Sequence, residues 1–220
     1  MSSFPGSPKV VKGGLVVLAP GGGAVRRMIA LQYNPDTLTR SYQVQGVGGE
    51  GGGERAQPFR LKGPAIETLK LDAEIDATDA LEQPDEHANA LAYGIAPQLA
   101  ALEGLVNPSS VELQALGAQS AAGTLEILAA PAPLTLFIWS ASRVVPVRVT
   151  DFSITEEAFD AALNPIRAKV SLGLRVLTTD DLGFTQRGGA MFINHLRTRE
   201  ALAGKTGSAS LQSFGLSALP

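Results

Sequence analysis

From Ile166 to Val176 the chain alternates between apolar and polar residues with almost no interruption. Ile166, Ala168, Val170, Leu172, Leu174 and Val176 share one side, and Arg167, Lys169, Ser171, Gly173 and Arg175 share the other. Period-two alternation of this length predicts a half-buried β-strand. A slip of one residue would carry Arg167, Lys169 and Arg175 into the core, so the register is strongly fixed. Upstream, Val144 to Thr155 also reads as extended, with β-branched residues and Phe152. Asn164-Pro165 lies between the two, and Pro165, with no N–H for a ladder, can only open the second strand. Residues 143–178 therefore predict a long antiparallel hairpin with one wet, basic face, and the rest of the chain is organised around it.

A second clean alternation runs from Ala65 to Asp76, with Leu69, Leu71, Ala73 and Ile75 set against Lys70, Asp72, Glu74 and Asp76. Shorter strands are predicted at Gly14 to Ala19, Val25 to Tyr33, Leu38 to Gln45 and Leu134 to Ala141, the last carrying the only Trp. In Val25 to Tyr33, Ile29, Leu31 and Tyr33 fall on one side, and Asn34-Pro35-Asp36 then turns the chain. The period changes at Ala92. Ile95, Leu99, Leu102 and Val106 stand at helical spacing, Pro97 sits near the start and Asn107-Pro108 stops the run, which predicts a short amphipathic helix. Val111 to Ala122 is ambiguous between a loop and a second short helix, and Met191 to Ala203 admits a C-terminal helix. Residues 1–12 read as a loose arm, 13–178 as a β domain and 179–220 as an extension. No repeat recurs at a fixed period.

Composition narrows the class. The chain has 220 residues, 45% hydrophobic and 18% charged, which suits a globular domain with a real core. Gly and Pro together number 38, many turns are therefore expected, and a β-rich fold is favoured over a helical bundle. There is no cysteine, so neither disulfides nor thiolate metal ligands contribute. The amino terminus lacks the apolar run of a signal peptide, and the most apolar window, Leu125 to Ala141, is interrupted by Glu126, Pro131 and Pro133. Cytoplasmic synthesis and no membrane insertion are the expectation.

The net charge of −3 is unevenly spread. Residues 1–62 carry eight Lys/Arg against three Asp/Glu, residues 63–165 three against fifteen, and residues 166–220 seven against three. Two readings stay open: solvated sheet faces, or a subunit whose basic and acidic surfaces meet neighbouring copies or partners. Nucleic acid is not indicated, because the basic residues are dispersed and not interleaved with aromatics.

Candidate chemistry is sparse. Gly46 to Gln57 holds six glycines in twelve residues, but Glu54-Arg55-Ala56 follows where a P-loop needs Lys-Ser/Thr at a helix start. The stretch reads as a mobile loop. The carboxylates Asp72, Glu74 and Asp76 read as a solvent face, since the glycine and bidentate Glu of an EF-hand are absent. His87 and His195 are the only histidines and both read as surface residues, without the partners a catalytic zinc requires. No Gly-x-Ser-x-Gly elbow occurs, and adjacent Glu156 and Glu157 in an extended segment point to opposite faces. No catalytic residue, cofactor site or metal site is predicted.

Four segments in order resemble one family. Leu31-Gln32-Tyr33-Asn34-Pro35 looks like its opening segment, and Gly63-Pro64-Ala65 leading into Leu69 to Asp76 resembles its next motif. Ile95 to Leu105 is similar to its single helix, and Pro133 to Trp139 with Phe152, Phe159, Asn164-Pro165 and Ile166-Arg167-Ala168 resembles its closing double strand. The family is the tube-initiator, or baseplate adaptor, protein of contractile injection systems, the phage-tail-like particles. The resemblance covers residues 13–178.

It implies a mainly β (α+β) fold, a tail-tube-like β-sandwich or split barrel with one short helix and a possible C-terminal one. It also implies a structural subunit, not an enzyme, that forms a ring of six copies between the spike or hub protein and the inner tube and contacts baseplate wedge components. The interface candidates on this basis are Tyr33, Asn34, Pro35, Trp139, Asn164, Pro165, Arg167, Arg197 and Arg199. Members often continue into a LysM module, which residues 179–220 lack; the helix carrying Arg197 and Arg199 is the candidate substitute for docking. Other tail-tube or hub positions, and a β-rich ligand-binding module or enzyme, are the alternatives.

Overall fold

A computed structural model of the chain describes residues 11–19, 23–46, 61–122, 132–207 and 210–219. Its strands are β1 (Gly14–Leu18), β2 (Val25–Ala30), β3 (Leu38–Gln43), β4 (Ile66–Asp76), β5 (Thr135–Ser140), β6 (Arg143–Phe159) and β7 (Pro165–Val176). Its helices are α1 (Thr78–Leu81), α2 (Ala88–Tyr93), α3 (Ala96–Glu103), α4 (Ser110–Ala121), α5 (Thr179–Leu182) and α6 (Arg187–Ala203), with a 3-10 turn at Leu211–Phe214. Among the described residues strand outweighs helix, 36% against 30%, so the fold is the mainly β, α+β class read from the sequence. The strands form one antiparallel sheet in the order β2-β1-β5-β6-β7-β4-β3, open between β2 and β3. Most of the N-terminal arm and, from residue 47 on, the glycine-rich stretch lie outside the described residues.

The two alternating segments are the centre of this sheet. Leu71 pairs with Leu172 and Leu172 with Phe152, while Ala73 pairs with Val170 and Val170 with Ile154, so three strands stack apolar residues on one face. The opposite face of β7 is wet: Arg167 binds Asp76 at 2.7 Å and Lys169 binds Glu157 at 2.8 Å. The carboxylate row of β4 is therefore a solvent face with cross-strand partners. Ser171 donates to Asp72, and among the described residues no group of three His, Asp or Glu is arranged to hold a metal. Ile95, Leu99 and Leu102 from the α3 region and Phe192 from α6 join the same core cluster.

β6 is the longest strand and serves two neighbours in turn. Residues 143–147 pair with β5, whereas 147–159 pair with β7, with register shifts at Val149/Asp151 and Glu156/Ala158. Such bulges bend a strand too long to stay flat. Past Val147 the outer side of β6 has no strand partner among the described residues, so β6, β7 and β4 project as a three-stranded arm.

The tip of that arm is tied to the helices. Pro165 opens β7 as expected, and its carbonyl accepts from Ile95 N–H at 2.8 Å. Asn164 Nδ2 donates to Ala92 O at 3.3 Å and to Asp160 Oδ2 at 2.8 Å, and Asp160 Oδ1 accepts from the N–H groups of Ala162 and Asn164. The backbone at Gly94 passes so close that a Cβ there would lie 2.1 Å from Pro165 O, and its φ of +58° suits glycine alone.

Several local expectations change. β2 stops at Ala30: Leu31 turns inward, Tyr33 stays exposed, and Asn34 fastens the chain by accepting from Gly13 N–H at 2.9 Å and donating to Val11 O at 2.8 Å. α3 ends at Glu103, which leaves Val106 exposed and not on its buried face. More helix forms than the short amphipathic helix and the C-terminal helix expected. The ambiguous stretch is helical as α4, started by a capping box in which Ser109 and Glu112 satisfy each other's backbone N–H groups. α4 buries none of its residues. The C-terminal helix begins at Arg187, one turn earlier than Met191. No helix among the described residues is long and apolar enough to cross a membrane.

Candidate functional site: open sheet edges and an arginine cluster

The strands that end the sheet, β2 and β3, bury very little. Five of the six residues in each are exposed, on both faces of the strand. Met28 is 74% exposed, and Val25 on β2 and Tyr42 on β3 are also open. Among the described residues no strand pairs with the outer edge of β2. Leu31 N–H donates to Gly13 O, so alternation along the ladder makes 15–29 and 17–27 the bonded pairs and turns the backbone groups of Met28 outward.

At the other edge, charged residues from four elements converge. Glu67 continues the inward parity of Leu69, Leu71 and Ala73 and is only 5% exposed. Tyr42 Oη donates to its Oε1 at 2.6 Å, Arg199 Nη1 to its Oε2 at 3.3 Å, and Arg40 stands at 4.0 Å. Arg199 also lies over the Tyr42 ring, 5.2 Å from its centre. Burial and then the bond to Glu67 push the Tyr42 phenol up. Burial and then neighbouring Arg40 pull the Arg143 guanidinium below its ordinary value.

His195, expected on the surface, is instead 5% exposed beside this cluster, and its Nδ1 has no hydrogen-bond partner. Phe192, His195, Leu196 and Arg199 share one face of α6, and packing that face on the sheet draws the imidazole in. Burial, followed by the arginines, holds its pKa below the ordinary value, although Glu67 opposes this. The unfolded chain therefore takes the proton first as pH falls. Stability contributed by the neutral ring is full above about pH 6.5 and is lost as pH drops toward the folded value. Urea midpoints measured between pH 7.5 and 5 should fall below about 6.5, and His195→Gln should flatten that segment. A wild-type midpoint unchanged across the range would contradict this placement.

The residues singled out by resemblance are dispersed. Tyr33 is exposed and Pro35 half-buried, while the amides of Asn34 and Asn164 are engaged within the chain. Trp139 is half-buried, stacked on Phe137 at 5.8 Å between ring centres, and Pro165 is buried. Arg167 is exposed in its pair with Asp76. Arg197 faces solvent, and Arg199 alone belongs to the cluster. Arg40, Tyr42, Glu67, Arg143 and His195 were not singled out; the one local signal was a carboxylate at Glu67 on the apolar parity of β4. His87 is exposed, as expected. A groove of about 620 Å³ beside the start of α6 is lined by Val17, Leu134, Val147 and Leu182, with no histidine or carboxylate on its walls.

No protein-family model matches the chain, and no curated protein matches it. Among solved structures, a chain of the tail of an empty GTA (gene transfer agent) particle, refined helically with C6 symmetry, is similar at 12% identity. The match covers 75% of this chain and 90% of that one, with a TM-score of 0.29, too low to transfer fold or function.

Proposed function

We propose that the chain is a structural subunit of a phage-tail-like contractile injection particle. In the finer reading it forms a ring of six copies that joins the spike or hub to the inner tube, nucleates tube assembly and meets baseplate wedge components. The observation that carries the proposal is the pair of end strands exposed on both faces, with outer edges that no strand pairs with among the described residues and with Val25, Met28 and Tyr42 exposed. An edge of this kind templates pairing with another chain, and joining β2 of one copy to β3 of the next would remove both edges. The ordered family-like segments supply the particle type, and the role is architectural, not catalytic.

Met28→Pro tests it. Proline at an outward-facing edge position leaves the β1 pairing intact and blocks a new strand. Thermal unfolding should change by no more than about 1 kcal/mol, while edge-to-edge joining into rings and incorporation into particles should be lost. A Met28→Pro chain that assembles like wild type would overturn the proposal.

A further inference from the structure

The arginine cluster is electrostatically unfinished. Three guanidiniums, Arg40, Arg143 and Arg199, gather around one carboxylate, Glu67, whose two oxygens are already taken by Tyr42 and Arg199. The Arg143 side chain has neither a hydrogen bond nor an ion pair among the described residues, and the partnerless Nδ1 of buried His195 lies in the same cluster. An anionic group from outside would complete it.

The complement lies at the far end of the same strand. Asp79, Glu82, Asp85 and Glu86 follow β4, are all exposed, and form no ion pair among the described residues. Between Lys70 and Arg143 the sequence contains no Lys or Arg at all. Glu67 and Asp76 stand nine steps apart on β4, about 30 Å at the rise of an extended strand, so the two charge clusters cannot meet within one copy.

We propose that Arg40, Arg143 and Arg199 are a carboxylate-receiving site for the Asp79 to Glu86 segment of a second copy, joining copies head to tail along the direction of β4. The contact is heterologous and uses the ends of the strands and not their edges, so it is distinct from the joining of copies within a ring. It deepens the reading of the chain as an assembly subunit.

Sedimentation velocity of the full chain at 50 and 500 mM NaCl tests it. Wild type should associate at low salt, and the association constant should fall tenfold or more at high salt, where charge attraction is screened. Arg143→Glu, and separately Asp85→Lys with Glu86→Lys, should each lose this association while keeping native circular dichroism. With edge pairing blocked by Met28→Pro in both chains, a one-to-one mixture of the two should form dimers only, because it holds one intact receiving end and one intact acidic end. In the Met28→Pro background the salt-sensitive species should persist, which separates this contact from edge pairing. Wild type without salt-sensitive association, or reversed acidic residues that leave it unchanged, would overturn the inference. The acidic residues are exposed, so that arm stands even if Arg143→Glu does not fold.

Discussion

A chain carrying Val170→Lys is expected not to fold. Val170 is 0% exposed on β7, between Ala73 of β4 and Ile154 of β6, and both faces of its backbone are committed to ladders. The substitution removes about 1.5–3 kcal/mol of apolar burial. It also places an ammonium where no carboxylate faces it, at a cost of several kcal/mol more. Together these are comparable with the roughly 5–15 kcal/mol that holds a domain of this size together. Circular dichroism and limited proteolysis should report an unfolded or insoluble chain. Ser171→Lys, one residue on, points into solvent and should cost no more than about 1 kcal/mol through the lost bond to Asp72. If Val170→Lys were soluble and native while Ser171→Lys unfolded, the faces of the sheet would be reversed.

Gly94→Ala is expected to be strongly destabilising. A Cβ at that position would overlap Pro165 O, and the φ of +58° would strain any L side chain. Relief requires parting α3 from the hairpin tip, which breaks Ile95 N–H to Pro165 O and Asn164 to Ala92 O. Backbone strain of about 1–3 kcal/mol and lost hydrogen bonds of about 1–3 kcal/mol add to a loss of roughly 2–6 kcal/mol. Urea unfolding should show the midpoint falling with little change in slope. Gly117→Ala, in a helical position with nothing within 4 Å, is the control and should be neutral or slightly stabilising. Equal midpoints for the two variants would mean that the latch contributes nothing.

What was legible in the sequence follows from where the deciding forces act. β4 and β7 were readable because one face of each is buried for its whole length, and burial writes itself into every second residue. The start of β7 was readable because Pro165 permits no other place. α4 was not settled by periodicity because it buries none of its residues and its apolar residues need not form a stripe; the Ser109 to Glu112 capping box was its better signal. β2 was read three residues too long because Leu31 keeps the parity of the strand while Asn34 pulls the backbone away. The arginine cluster was out of reach. It unites positions 40, 42, 67, 143, 195 and 199, which no window along the chain contains, and His195 is buried only because α6 docks where Glu67 waits.

The central claim, that β2 of one copy joins β3 of the next, can be tested by covalent capture. The chain has no cysteine, so Met28→Cys on one edge and Thr39→Cys on the other introduce its only thiols. A short bis-maleimide linker applied to the assembled protein should give a ladder of species that ends at six copies, and either substitution alone should stop at dimers or below. Monomers only, from protein that is demonstrably assembled, would contradict edge-to-edge joining.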